Sequence, residues 1–254
     1  MEKTKIYYKK NIKLNKPILL VGLPGIGNVG SLVGEHLKNE LKAKRFATLY
    51  SPHFMHQTVM LKEGGFRLIS NRFYVTTNSE GRSIIILIGD TQAGSPEGQY
   101  EVNEKIVRFF KKLGGREIYT IGGYSAGNGY IDHPKVFGVT SEKKARAALA
   151  KNGVVIGKAA GTIWGSAGLL LVFGKKNKIP STCLMGETGM LEIDANAAKS
   201  VLEVLMKIIK VNVNLENINK IRKETEKIIK EINDAASGNT DQYQQDRAKL
   251  TYIR

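Results

Sequence analysis

The sequence predicts an α/β protein: a mostly parallel central sheet with helices on both faces. Two observations lead there. First, Ile18-Leu19-Leu20-Val21 and Ile84-Ile85-Ile86-Leu87-Ile88 are unbroken apolar runs that close on glycine. Runs of that length read as strands buried on both faces, since a strand with one wet face alternates. Second, segments with apolar residues at three- and four-residue spacing fall between such runs. Alternating strands and amphipathic helices build a largely parallel, doubly covered sheet.

In order along the chain, Lys16-Pro17 opens the first strand, 18–23, which ends in a glycine-rich turn. Asn28 stands where it can cap the next helix, in which Val29, Leu32, Val33, Leu37 and Leu41 share a face. Phe46 to Tyr50 reads as a second strand. Residues 51–81 are irregular, with short strand-like pieces at 58–61 and 66–77. Ser83 to Ile88 is the central strand, ending at Gly89-Asp90. Val102, Ile106, Val107, Phe110 and Leu113 mark a helix closed by Gly114-Gly115. Ile118 to Ile121 is the next buried strand. A short strand (136–140), a short helix (142–151), a buried helix (162–176) and a last strand (182–185) follow. Asp194 then begins a helix whose Ala197, Ala198, Val201, Leu202, Leu205 and Ile208 face the core.

The final helix differs. Ile218, Ile221, Thr225, Ile228, Ile232 and Ala235 repeat at alternating intervals of three and four, a narrow seam suited to docking on another helix of the same or a neighbouring subunit. Ser237-Gly238-Asn239 breaks it, and a polar tail follows to Thr251-Tyr252-Ile253-Arg254. The expected organisation is an α/β domain over 1–210, an amphipathic helix over 211–236, and a flexible tail over 237–254.

Composition narrows the function classes. Hydrophobic residues make up 42% and charged residues 24% of the 254, ordinary globular values. No apolar run approaches the roughly 18–20 residues that span a bilayer, and the lysine-rich start carries no signal-peptide pattern. A cytoplasmic location is expected. The lone Cys183 lies in an apolar stretch and reads as a buried, inert thiol. The net charge of +16 raises nucleic acid as a partner, but 29 lysines to 10 arginines, spread along the chain, argue against it. Arginine is the better group for bidentate phosphate and base contacts. A lysine-rich solvated surface, common in heat-stable proteins, accounts for the charge.

Two motifs suggest catalysis, and each lacks a required companion. Gly25-Ile26-Gly27-Asn28-Val29-Gly30 fits G-x-G-x-x-G between a strand and a helix. A dinucleotide site needs Asp or Glu at the end of the second strand, where this chain has Tyr50-Ser51-Pro52. A phosphate loop needs lysine after its last glycine, where Ser31 stands. Gly123-Tyr124-Ser125-Ala126-Gly127 fits G-x-S-x-G but runs into loop sequence, with His133 only eight residues on and no separate element to deliver it. His53 and His56 flank Phe54-Met55 without carboxylate or cysteine companions, so no metal or cofactor is expected. Asp90, with Gln92, follows the central strand at the edge where α/β sheets place ligands. Gly25, Gly27, Gly30 and Asp90 are therefore the candidate contacts if the chain is a small-molecule or nucleotide-binding enzyme.

Taken as an ordered set, residues 17–30, Gly89-Asp90-Thr91-Gln92, Ile121-Gly122-Gly123-Tyr124 and Asp194-Ala195-Asn196-Ala197-Ala198 resemble the proteasome-assembly-chaperone family. The similarity is to archaeal members related to the second chaperone subunit and spans roughly residues 15–210. The resemblance implies a three-layer α/β/α sandwich similar to nucleoside phosphorylases, with no catalytic residues. It further implies a homo-oligomer giving ATP-independent help in assembling the proteasome core. Proteasome α-subunits, or another assembly protein, are the implied partners. Such proteins end in a hydrophobic-Tyr-X tail that inserts between α-subunits, which assigns partner binding here to Tyr252, Ile253 and Arg254. In this chain the tyrosine is third from the end rather than second.

Overall fold

The computed structural model describes residues 2–62, 64–127, 129–157, 161–189 and 192–236. The expected strands appear as β2 (Ile18–Gly22), β3 (Lys44–Tyr50), β7 (Ser83–Gly89), β8 (Glu117–Ser125), β9 (Val136–Thr140) and β11 (Ser181–Thr188). Around them stand β1 (Lys5–Tyr8), β4 (Thr58–Met60), β5 (Phe66–Leu68), β6 (Asn71–Thr77) and β10 (Val154–Ile156). The helices are α1 (Val29–Glu40), α2 (Pro96–Lys112), α3 (Ala145–Lys151), α4 (Gly165–Lys176), α5 (Ala195–Ile209) and α6 (Glu216–Ala236).

Among the described residues, nine strands form one sheet in the order β1-β3-β6-β7-β2-β8-β11-β9-β10. The sheet is mixed, which corrects the mostly parallel expectation. β7-β2-β8-β11 is a continuous parallel block, and β9 and β10 pair in parallel with each other at one edge. The hairpin β6–β7 inserts β6 antiparallel beside β7, so β3 cannot neighbour β2 across α1. Beyond β11, the strand β9 runs antiparallel. Hydrophobic runs identify buried strands but carry no record of which neighbour each one chooses.

Alternation within the buried strands divides the core in two. Ile18, Leu20, Ile84, Ile86 and Ile88 face α1 and α5, while Leu19, Val21, Ile85 and Leu87 face α2 and α4. These strand residues are at most 2% exposed. Full burial of each contributes roughly 1.5–3 kcal/mol, and the result is three layers about one sheet. Two helix starts are fixed locally. Ser95 accepts from the Gly98 amide at 3.1 Å, ahead of Pro96 in the first turn of α2. Asp194 accepts from the Ala197 amide at 2.9 Å, starting α5.

Three local expectations change. Asn28 occupies the position before α1 in a left-handed conformation (φ 49°) and its side chain caps nothing. Its amide instead closes the turn on the Gly25 carbonyl at 2.9 Å. Helix α4 is buried on one side only, with Leu170 and Phe173 inward and Trp164 and Val172 in solvent. On α5, Ile209 is buried and Ile208 only partly so. His36 of α1 is buried, and its Nε2 reaches the Asn214 carbonyl at 2.7 Å, 178 residues away. Cys183 is buried as expected, and burial pushes its thiol up to about 11 against a Thr120 hydrogen bond.

Candidate functional site

The carboxyl ends of β2, β7, β8 and β11 converge on the glycine-rich turn, and the glycines there are where backbones touch. A Cβ on Gly22 would lie 2.3 Å from the Gly30 carbonyl oxygen, and one on Gly30 would lie 2.7 Å from that of Leu23 and 2.8 Å from that of Ile121. A Cβ on Gly34, one turn further along α1, would meet Ile88 at 2.6 Å. Helix α1 thus rests directly on β2 and β8, the role the third glycine of such a motif plays in close helix–strand packing. Gly27, at φ +62°, has Thr188 Oγ1 and Asp194 Cβ where a side chain would begin, and its carbonyl accepts from the Asp194 amide at 2.8 Å. Gly25 differs. It is exposed, its backbone is extended, and the nearest atom to a Cβ is Gln92 Nε2 at 3.9 Å.

Gln92 stitches this turn to the opposite layer. Its Nε2 donates to the Pro24 carbonyl at 2.6 Å, and its Oε1 accepts from the Ser166 amide at 2.8 Å, at the start of α4. On the other side the Gly27–Asp194 bond ties the turn to the start of α5. Within the same crowded region, the Thr188 hydroxyl and the second carboxylate oxygen of Asp194 are buried without a partner among the described residues.

Asp90 and Gln92, paired in the sequence reading, serve different neighbours. Asp90 takes Arg67 bidentately at 2.6 and 2.9 Å, Arg72 at 3.0 Å and the Ser70 amide at 2.9 Å. Burial alone would raise the carboxyl's pKa, but the Arg67 bond, the Ser70 amide and Arg72 outweigh it and hold it below the usual carboxylate range. The ion pair ties the β4–β5 hairpin to the sheet. Neither arginine was singled out in the sequence, where nothing distinguishes them from other surface cations.

The remaining motif residues are dispersed. Gly123, Tyr124 and Ser125 continue β8, with Ser125 in register with Thr188 of β11, so Ser125 sits on a strand rather than on a sharp strand-to-helix turn. His133 is 94% exposed beside Asp132. His53 meets a carboxylate the local sequence lacks, Glu101 of α2 at 2.7 Å; the Thr4 amide also donates to Glu101. Among the described residues no group of three or more His, Cys, Asp or Glu is placed to hold a metal ion. A cleft of about 560 Å³ opens at the far end of the strands, lined by Thr77, Asn78, Met206, Lys207 and Lys210.

Helix α6 lies on α5 and α1 of its own chain. Ile218 is buried, Ile221 is partly buried against the same core, and the buried Thr225 hydroxyl donates to the Ile221 carbonyl at 2.9 Å. The side chains of Ile228 and Ile232, the continuation of the seam, lie outside the described residues, as do Tyr252, Ile253 and Arg254. Polar ties fix how the helix leaves the body. Asn214 holds His36, and Tyr130 donates to Glu226 while accepting from Asn196 at 2.6 Å. Burial and the Glu226 bond push the Tyr130 hydroxyl up to about 12, so it remains a donor throughout the physiological range. Tyr130→Phe is expected to speed amide exchange across α6 several-fold and lower stability by about 1 kcal/mol. Exchange in β2 and β7 stays unchanged; equal acceleration in all three would assign Tyr130 to the core and not to the helix.

Fold and edge together define a class: a three-layer α/β/α protein with a mixed nine-stranded sheet, glycine-packed strand ends and a last helix docked on the outer layer. The chain belongs to the PAC2 family, whose model matches residues 19–233. A functionally uncharacterised protein of Methanocaldococcus jannaschii is 38% identical over 219 residues, 86% of this chain and 84% of its own. The crystal structure of Pyrococcus furiosus PbaB, an archaeal proteasome activator, superposes with a TM-score of 0.85 at 36% identity, covering 92% of this chain and 100% of PbaB. Pyrococcus furiosus PbaA, an archaeal homolog of proteasome-assembly chaperone, shares the fold at a TM-score of 0.78 and 24% identity, covering 99% and 100%. No described helix is long and apolar enough to cross a membrane.

Proposed function

We propose that this chain is an ATP-independent assembly chaperone or scaffold for the proteasome core particle, acting as a homo-oligomer by binding protein rather than by catalysis. The observation that carries the reading is the likeness to PbaB, 36% identical over 92% of this chain. The geometry of the strand edge supports it, since Gly22 and Gly30 are filled against backbone, Gly27 against the side chains of Thr188 and Asp194, and Asp90 is engaged by two arginines. Under this reading Tyr252, Ile253 and Arg254 engage the α-subunits. Several copies of a weak tail on one oligomer gain avidity because later contacts are intramolecular.

The test is capture of archaeal proteasome α-subunits by the full chain and by a chain ending at Gly238. The full chain is expected to retain α-subunits, and the shortened one to lose at least tenfold in recovery. Equal recovery by both removes the tail's role, and recovery by neither removes the proteasome as client.

A further inference from the structure

The β4–β5 hairpin stands apart from the main sheet, and its two faces are unlike. Inward, Val59 packs on the α2–α4 core, and its cross-strand partner Arg67 is clamped by Asp90. Outward, Met60 stands opposite Phe66 and Thr58 opposite Leu68. Met60 is 88%, Phe66 79% and Leu68 61% exposed, with Leu61 beside them at 46%. Most exposed apolar side chains are scattered singly and mean nothing. Here three, Met60, Phe66 and Leu68, share one face of a short element with Leu61 in the adjoining turn, which marks an interaction surface.

We infer that this face is where two copies of the chain meet, hairpin against hairpin, about a two-fold axis. The inference rests on the homo-oligomer proposed above and names its contact. Charge favours a second copy at this place. A chain of net +16 repels itself, yet Thr58, Met60, Phe66 and Leu68 carry no charge and the one cation of the two strands, Arg67, is turned inward and paired with Asp90. Area agrees. At roughly 150–200 Å² for a fully exposed side chain of this size, Met60, Leu61, Phe66 and Leu68 offer about 500 Å². Two copies together then bury about 1,000 Å², the lower bound for a specific interface. The geometry is self-complementary as well, since a two-fold places Phe66 of one copy by Met60 of the other, a favourable sulfur–aromatic contact. The Asp90 clamp holds the hairpin in place beforehand, so little order is lost on pairing.

Sedimentation velocity of the full chain tests this, wild type beside the double variant Met60→Lys/Phe66→Lys. The wild type is expected to sediment as an oligomer and the variant at half that mass or less. Its melting temperature stays within a few degrees of wild type, because both side chains face solvent in the single chain. A folded variant with the wild-type mass overturns the inference and leaves the oligomer intact. A wild type that is itself monomeric overturns both. A photo-crosslinking phenylalanine analogue at position 66 reports the occupant directly. A Phe66-to-hairpin link between copies supports the inference, whereas a link to residues 237–254 or to another protein alone overturns it.

Discussion

Gly22→Val is expected to cost at least ~3 kcal/mol of stability or to prevent folding altogether. The first added carbon falls 2.3 Å from the Gly30 carbonyl oxygen and 3.0 Å from the Gly34 Cα. Both obstacles are backbone, so no rotamer change relieves them. Relief requires lifting α1 from β2, which opens the core around Val29, Val33 and Leu37, all 0% exposed. Gly25→Ala is the matched control. Its backbone is extended, the space beside it is open, and an effect within about 0.5 kcal/mol is expected. Denaturant unfolding of both variants measures the contrast. A loop built to cradle phosphate shows the opposite sensitivity in a ligand assay, with Gly25→Ala impairing nucleotide binding in a folded protein.

Asp90→Ala is expected to cost about 2–4 kcal/mol, because it leaves Arg67 and Arg72 facing each other without a counter-charge in a half-buried site. The sign of its pH dependence follows from the lowered folded pKa. In the unfolded chain the carboxyl titrates near ~3.9; in the fold, lower. Its stabilisation is therefore fully present above the unfolded value and is lost as pH falls through the folded one. The stability gap between wild type and Asp90→Ala should be constant from about pH 5 to 7 and shrink below about pH 4. Glu101, also held low by its Thr4 and His53 hydrogen bonds, titrates in the same direction but is present in both proteins, so it cancels in the difference. A gap that grows on acidification would contradict the assignment of Asp90 as the anion of this cluster.

How much of this was legible depends on whether the signal was local. Ile84 to Ile88 and Ile18 to Val21 announce central strands because burial on both faces leaves an unbroken apolar run. Strand β1, Lys5-Ile6-Tyr7-Tyr8, gives no such sign, since an edge strand covered on one face needs only alternate residues inward. The order of strands was not legible either. The antiparallel insertion of β6 beside β7 depends on the turn at 78–82, where the Asn78 side chain accepts from the Glu80 and Arg82 amides, as much as on the strands. At the edge, the misfit of both motifs to their chemistries was visible from Tyr50-Ser51-Pro52 and from His133. The partners that occupy Asp90 and Gln92 were not. Arg67 lies 23 residues from Asp90, Ser166 lies 74 from Gln92, and His36 finds Asn214 across 178. Contacts of that range leave no periodicity to read. The hairpin's outward face was hidden for a related reason, as Met60, Phe66 and Leu68 look like core residues until the fold leaves them outside.

Everything functional turns on whether copies of this chain, joined and tailed, hold other protein subunits. Native mass spectrometry of the full chain mixed with proteasome α-subunits measures that in one spectrum. The account predicts a homo-oligomer when the chain is alone and a heavier, defined complex containing both proteins when α-subunits are added. A monomer that ignores the α-subunits and instead carries a nucleotide or metabolite, lost with Gly27→Val, would contradict it.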